Sequence, residues 1–168
     1  AHDMTEASRL DVISAYFSPP RSFLRRIARL ANRGRVRIIT AAKSDNNATI
    51  AAARHNYSRM LRRGVEMYEY RPARLHTKLI VLDDVVYIGS ANFDFRSFYI
   101  NLEIMLRIHD HSFAEAMRGY FERELAGSGE ALASAARIGP YHILGPINDG
   151  GMGTVYKAEQ REPIVRTV

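Results

Sequence analysis

A chain of 168 residues that is 46% hydrophobic is long enough to bury one domain core, and its composition is not that of a disordered protein. Twenty-four Lys and Arg against eighteen Asp and Glu give a formal charge of +6, so the surface attracts phosphates, whether of nucleic acid or of an anionic membrane. The absence of cysteine excludes disulfides and thiolate metal sites. No apolar run approaches the ~20 residues that span a bilayer, and the opening AHDMTEASRL lacks the basic and apolar regions of a signal peptide, so a soluble chain is expected.

Residues 10–17 (LDVISAYF) are β-branched and aromatic and are stopped by Ser18-Pro19-Pro20, which predicts a buried strand and a break. Pro20 suits the first turn of a helix. Phe23, Leu24, Ile27, Leu30 and Ala31 then recur at helical spacing, and Asn32-Arg33-Gly34 ends the pattern. Arg21, Arg25, Arg26, Arg29 and Arg33 occupy the other face, which reads first as solvated charge and second as a membrane or phosphate contact. Residues 36–41 (VRIITA) predict a second strand. The polar loop 43–47 that follows would lie at the carboxyl end of a parallel strand, where ligands bind, so Asp45 and Asn46 are candidate substrate-rim residues. Residues 48–63 form an alanine-rich helical pattern closed by Gly64. Val65, Met67, Tyr68 and Tyr70 make a third strand ended by Pro72. This alternation argues for α/β layers, a mixed sheet flanked by helices on both faces.

Residues 102–108 (LEIMLRI) predict another strand, and Ser112-Phe113-Ala114-Glu115 matches a capping box before a last helix. His109 and His111 flank Asp110 with a spacing sometimes seen in metal sites, but a helix N-terminus explains these polar residues and no metal is expected. From Gly127 the character changes. The expected organisation is a domain over 1–127, a linker over 128–137 and a distinct segment over 138–168, either a small β-hairpin-like appendage or disordered.

The chemistry concentrates in residues 74–103. A strand beginning near His76 puts His76, Lys78, Ile80 and Leu82 on one face and Thr77, Leu79 and Val81 on the other. Asp83-Asp84 can turn the chain into a second strand over 85–88, a hairpin that returns Gly89-Ser90-Ala91-Asn92 beside His76 and Lys78. An imidazole, an ammonium, a hydroxyl and an amide then converge. A neutral imidazole can attack phosphorus while Lys78, Ser90 and Asn92 stabilise charge on the non-bridging oxygens. A carboxylate on the other ring nitrogen would fix the tautomer, and Glu103 is the candidate. This chemistry calls for no cofactor or metal.

The order H-x-K-x4-D followed by GSxN, as His76, Lys78, Asp83, Gly89, Ser90 and Asn92, resembles the HKD signature of the phospholipase D superfamily. Residues 10–125 resemble the second half of a bacterial cardiolipin synthase-type enzyme, with Asp94-x-Arg96-Ser97 and Asn101-x-Glu103 fitting that branch. The resemblance implies His76 as the nucleophile that forms a phosphohistidine, Lys78 and Asn92 as phosphate ligands, Ser90 assisting, Glu103 supporting the histidine, and Asp83 in a mainly structural role. Arg96 is either a structural ion-pair partner, the favoured reading, or a headgroup contact. Five residues, 84–88, separate the motif aspartate from the glycine where the family usually has six; a shorter turn would absorb this, the favoured reading, whereas a register slip would move Ser90 and Asn92 to the wrong face.

The family mechanism uses two histidines, one from each motif, and this chain has one motif. The resemblance therefore implies a homodimer or a second HKD half, and a phosphatidylglycerol-like phospholipid as substrate. It further implies an anionic membrane surface as partner and a cytoplasmic domain peripheral at the inner membrane. The alternatives are a dimeric nuclease, which the charge favours, and an inactive half that only folds or binds phosphate. Residues 141–158 resemble the opening of a bacterial serine/threonine kinase domain. Gly150, Gly153 and Val155 match its glycine-rich loop, and Asn148 stands where the first glycine belongs. Without the lysine-bearing strand and catalytic loop, this implies an incomplete fragment rather than an ATP site.

Overall fold

The structure is a computed structural model and describes residues 4–43, 47–130, 137–138, 141–150 and 153–160. The chain enters through β1 (Arg9–Ser14) and a two-residue strand, β2 (Phe17–Ser18). The single strand expected over 10–17 is thus broken at Ala15 and Tyr16, where the chain leaves the main sheet and Phe17 pairs elsewhere. Helix α1 (Arg21–Ala31) follows, then β3 (Arg35–Ala41), α2 (Asn47–Leu61) and β4 (Glu66–Tyr70), all close to their expected positions. The hairpin β5 (Lys78–Leu82) and β6 (Val85–Gly89) leads to β7 (Phe93–Asp94), the one-turn α3 (Phe95–Tyr99), β8 (Met105–His109) and α4 (His111–Ala126).

A further strand, β9 (Ser128–Glu130), pairs antiparallel with β4, so three residues expected in a linker extend the sheet. The main sheet has seven strands in the order β8-β6-β5-β1-β3-β4-β9. Strands β1, β3 and β4 run parallel, while β5 is antiparallel to β1, β6 to β5 and β8 to β6. The carboxyl ends of β1, β3, β4 and β6 and the amino ends of β5 and β8 therefore share one edge.

Side-chain alternation divides the core between the two faces. Leu10, Val12, Val36, Ile38 and Met67 point to the face covered by α1 and α2. Ile13, Ile39, Val81 and Val86 point to the face covered by α4, so the α/β/α layering expected from the sequence is present. Helix α1 buries Leu24, Ile27 and Leu30, each contributing roughly 1.5–3 kcal/mol.

Helix α4 is also fastened by charge. Asp11 and Arg37 are fully buried and joined through a 2.6 Å hydrogen bond, Arg37 Nη1 donates to Glu122 at 2.7 Å, and Arg118 Nε lies 3.6 Å from Asp11. Burial opposes the Arg37 charge, but the bonds to Asp11 and Glu122 outweigh it and raise the guanidinium above its ordinary pKa. Helix α4 starts two residues earlier than a Ser112 cap would give. Asp110 is the N-cap, its carboxylate accepting from Phe113 N at 2.7 Å, and His111 lies 2.9 Å from Asp84.

In the C-terminal segment β10 (Arg137–Ile138), β11 (Tyr141–Gly150) and β12 (Gly153–Gln160) form an antiparallel sheet of three strands where the sequence led us to expect two at most. Gly150 and Gly153, from the kinase-like loop, pair where β11 turns into β12.

Candidate active site at the strand ends

The site lies at the shared strand edge. His76 precedes β5 rather than starting it. Leu75 is buried, and Thr77 is held inward by a 3.1 Å hydrogen bond between its hydroxyl and that of Tyr120. With inward residues on both sides, His76 is turned out to solvent. It lines an open recess of about 420 Å³ with Tyr70, Arg74 and Glu124.

Lys78 is half-buried, stands opposite Ser14 in the β1–β5 ladder, and donates from Nζ to the His76 carbonyl at 2.7 Å. Burial pulls its pKa below the usual lysine value, and the Glu103 charge pulls the other way.

The hairpin delivers the second set of groups. Leu79 pairs with Ile88 and Leu82 with Val85, so Asp83-Asp84 is a two-residue turn and Gly89 arrives level with Lys78. Asp83 has a φ of 45°, a left-handed conformation that Asp tolerates better than most residues. No register slip occurs. Gly89 then passes the β8 edge so closely that a Cβ there would lie 2.0 Å from the Ile104 carbonyl oxygen, which explains why glycine precedes the serine.

Ser90 is held at three points. Its N–H donates to Ile104 O at 2.9 Å, its Oγ accepts from Ile104 N at 3.0 Å, and its hydroxyl donates to Glu103 Oε2 at 2.5 Å. Glu103 Oε1 accepts from Ser97 Oγ at 2.9 Å and Asn101 Nδ2 at 3.1 Å. The bonds from Ser90, Asn101 and Ser97 hold the Glu103 carboxyl below the usual carboxylate range, with Lys78 adding to the effect. Glu103 is thus engaged by Ser90, Ser97 and Asn101 and makes no hydrogen bond to the His76 of its own chain. The expected carboxylate–histidine contact is absent because Glu103 lies two residues before the edge strand, tied to the serine side of the site.

Two residues that the sequence reading had not assigned a role position the rest. Ser97 N donates to the Asp94 cap at 2.8 Å, and its hydroxyl accepts from Asn92 N at 3.1 Å while donating to Glu103. Ser14 Oγ accepts from Phe93 N at 2.9 Å and donates to Tyr16 O at 2.8 Å. An Asp three residues before a Ser at a helix start was the legible signal for the first; Ser14 had none.

Asn92 lines a cleft of about 340 Å³ with Ser97 and Glu103, and its Oδ1 is buried with no hydrogen-bond partner among the described residues. The other walls of the cleft are apolar, from Ile80, Phe98 and Met105 among others.

Asp83 lies outside this group, just past the far end of β5, about 16 Å along the strand from Lys78 at ~3.3 Å per residue. There its carboxylate accepts from Ser8 N, Ser8 Oγ and Arg9 N at 2.9–3.3 Å. Arg96 is exposed on α3 and makes no ion pair with a described residue, which corrects the expectation of a structural partner; the acid nearest in sequence, Asp94, caps the helix instead. Asp45 and Asn46 lie outside the described residues.

A family model described as "Cardiolipin synthase, PLD-like domain" matches residues 2–125. The chain belongs to this phospholipase D-like family. Among its relatives, Cardiolipin synthase 1 of Staphylococcus epidermidis is 35% identical over 117 residues, 68% of this chain and 24% of that protein. Cardiolipin synthase B of Escherichia coli K12 is 36% identical over 118 residues, again 68% of this chain and 29% of the relative. The chain therefore spans about a quarter of the length of these curated relatives.

Solved structures agree on the fold. The phospholipase D family member Nuc of Salmonella typhimurium superimposes with a TM-score of 0.66 at 20% identity, covering 77% of this chain and 86% of Nuc. A phosphatidylserine synthase of Haemophilus influenzae superimposes with a TM-score of 0.62 at 18% identity, covering 76% of this chain and 35% of that one.

Proposed function

We propose that the domain supplies one half of an active site that transfers or hydrolyses phosphatidyl groups through a phosphohistidine. The observation carrying this is the hairpin register, which brings Gly89-Ser90 level with Lys78 at the edge where His76 projects. In this reading His76 attacks the phosphorus of a phospholipid phosphodiester, the P–O bond to the leaving alcohol breaks, and a second histidine protonates that alcohol. The same second histidine then deprotonates an incoming alcohol or water, which takes the phosphatidyl group from His76. Lys78 and Asn92 hold the non-bridging oxygens, Ser90 assists, and the exposed Arg96 contacts the headgroup.

The second histidine comes from a second copy or a second HKD half. An exposed apolar ridge flanking Glu103, including Phe95, Tyr99, Leu102 and Ile104, gives such a partner a surface beside the site. A phosphatidylglycerol-like lipid is the proposed substrate and the inner face of the membrane the proposed location. No described helix is long and apolar enough to cross a membrane. With β9 in the sheet, the proposed domain runs to Glu130, ahead of the kinase-like segment.

The net charge of +6 favours a second reading, a dimeric nuclease acting on nucleic acid phosphodiesters. Incubation with phosphatidylglycerol vesicles and, separately, with plasmid DNA distinguishes them. The lipid reading expects transfer or hydrolysis of phosphatidylglycerol that His76→Ala abolishes. Cleavage of DNA alone would replace it with the nuclease reading, and no product from either would leave a half that only folds or binds phosphate.

A further inference from the structure

Away from the strand-edge site, a groove of about 210 Å³ runs between α1 and α2. Four arginines line it. Arg25 and Arg29 stand one turn apart on α1, Arg59 is in the last turn of α2, and Arg63 is in the turn that follows. All four are exposed, and none makes an ion pair or side-chain hydrogen bond with a described residue. No Asp or Glu occurs in residues 21–34 or 53–64. Like charges one turn apart on a helix destabilise it, so this arrangement opposes folding unless something anionic covers it.

Neighbouring arginines are treated differently. Arg33 is bonded to the Met4 and Ala7 carbonyls, Arg35 to Glu66 and Arg54 to Glu69. Four unpaired guanidinium groups therefore meet in one concavity, while Arg21, Arg26 and Arg62 stand exposed and, among the described residues, unpaired outside its lining. Its floor is apolar, formed by Leu24, Ala28 and Met60, Asn32 adds one amide, and no aromatic residue lines it among the described residues. Guanidinium forks match phosphate oxygens two at a time, and arginine stems lie along apolar surface while their heads reach charge. A groove built for nucleic acid strands would interleave aromatic rings for base stacking.

We propose that this groove docks the phosphate headgroups of an anionic bilayer, holding the domain peripherally at a lipid surface by a site separate from His76. The choice of a bilayer as the phosphate source rests on the lipid reading above.

Co-sedimentation of the whole chain with phosphatidylglycerol/phosphatidylcholine vesicles, pure phosphatidylcholine vesicles and, in parallel, retention of duplex DNA tests this. Binding is expected to the anionic vesicles only. Removing two of the four charges with R25A/R59A is expected to weaken it on the order of 10- to 30-fold, at about 1 kcal/mol per basic residue near an anionic surface. R71A/R123A takes the same charge from exposed positions elsewhere and is expected to weaken it less than about 3-fold. Circular dichroism checks that each variant is folded. Equal losses for the two pairs, DNA binding without vesicle binding, or no vesicle binding by the unaltered chain would each overturn the groove.

Turnover of detergent-dispersed phosphatidylglycerol, which needs no bilayer, is scored separately. R25A/R59A should leave it unchanged. Absence of turnover in an unaltered chain that still sediments through this groove would refute the catalytic reading and leave the docking site standing.

Discussion

Asp83 belongs to the HKD signature yet sits at the far end of β5 from Lys78, and the structure lets its contribution be divided. Its carboxylate holds Ser8 N, Ser8 Oγ and Arg9 N, closing the β5–β6 turn onto the start of β1. Losing a charge-assisted set of this kind costs roughly 1.5–3 kcal/mol. The φ of 45° adds a second element, since a residue that does not tolerate the left-handed region is strained there by roughly 1 kcal/mol. Asp83→Asn keeps the backbone tolerance and one carbonyl acceptor, Asp83→Gly keeps only the tolerance, and Asp83→Ala keeps neither. The expected destabilisations are about 1, 2 and 3 kcal/mol in that order, read from urea midpoints at constant slope. Activity per folded molecule should be unchanged in all three. A variant with undiminished stability and lost turnover would show that Asp83 acts chemically and would refute the assignment.

Gly89→Ala places a Cβ against the Ile104 carbonyl, and the backbone shift this forces should both destabilise the domain and detach Ser90 from Glu103, with loss of activity in the molecules that remain folded. Asp11→Ala leaves Arg37 and Arg118 buried without their shared carboxylate and should cost about 3–5 kcal/mol in a urea titration; a loss under 1 kcal/mol would mean the network is more hydrated than its burial indicates. Because burial lowers the Lys78 pKa and Glu103 raises it, phosphate binding by the ammonium should fail on the alkaline side sooner than for an ordinary lysine. Glu103→Gln, which removes the opposing charge, should move that alkaline limb of the pH–rate profile still lower; a limb unmoved or moved upward would contradict the coupling.

Where packing and chain neighbours decide the outcome, the sequence was informative. The β-branched run that begins at Leu10, the helical spacing of Leu24, Ile27 and Leu30, and the turn at Asp83-Asp84 are local signals, and a strand, a helix and a hairpin turn begin where each was expected. The failures involve contacts that period does not encode. Ser128-Gly129-Glu130 has no strand propensity and becomes an edge strand because β4 offers an unpaired edge. Asp110 rather than Ser112 caps α4 because its carboxylate is the one that reaches Phe113 N.

The site divides the same way. The juxtaposition of Lys78 with Gly89-Ser90 followed from hairpin register. The partners of Glu103 did not, because Ser90, Ser97 and Asn101 meet it only after β7, α3 and the approach to β8 have folded around one another.

In the proposed reaction His76 takes the phosphatidyl group covalently. The direct measurement is acid-free trapping of the protein during turnover of phospholipid labelled at phosphorus, followed by location of the label. An acid-labile, alkali-stable phosphohistidine is expected at His76 in the associated species, absent from His76→Ala. Sustained turnover with no label on His76, or with His76 replaced, would contradict it.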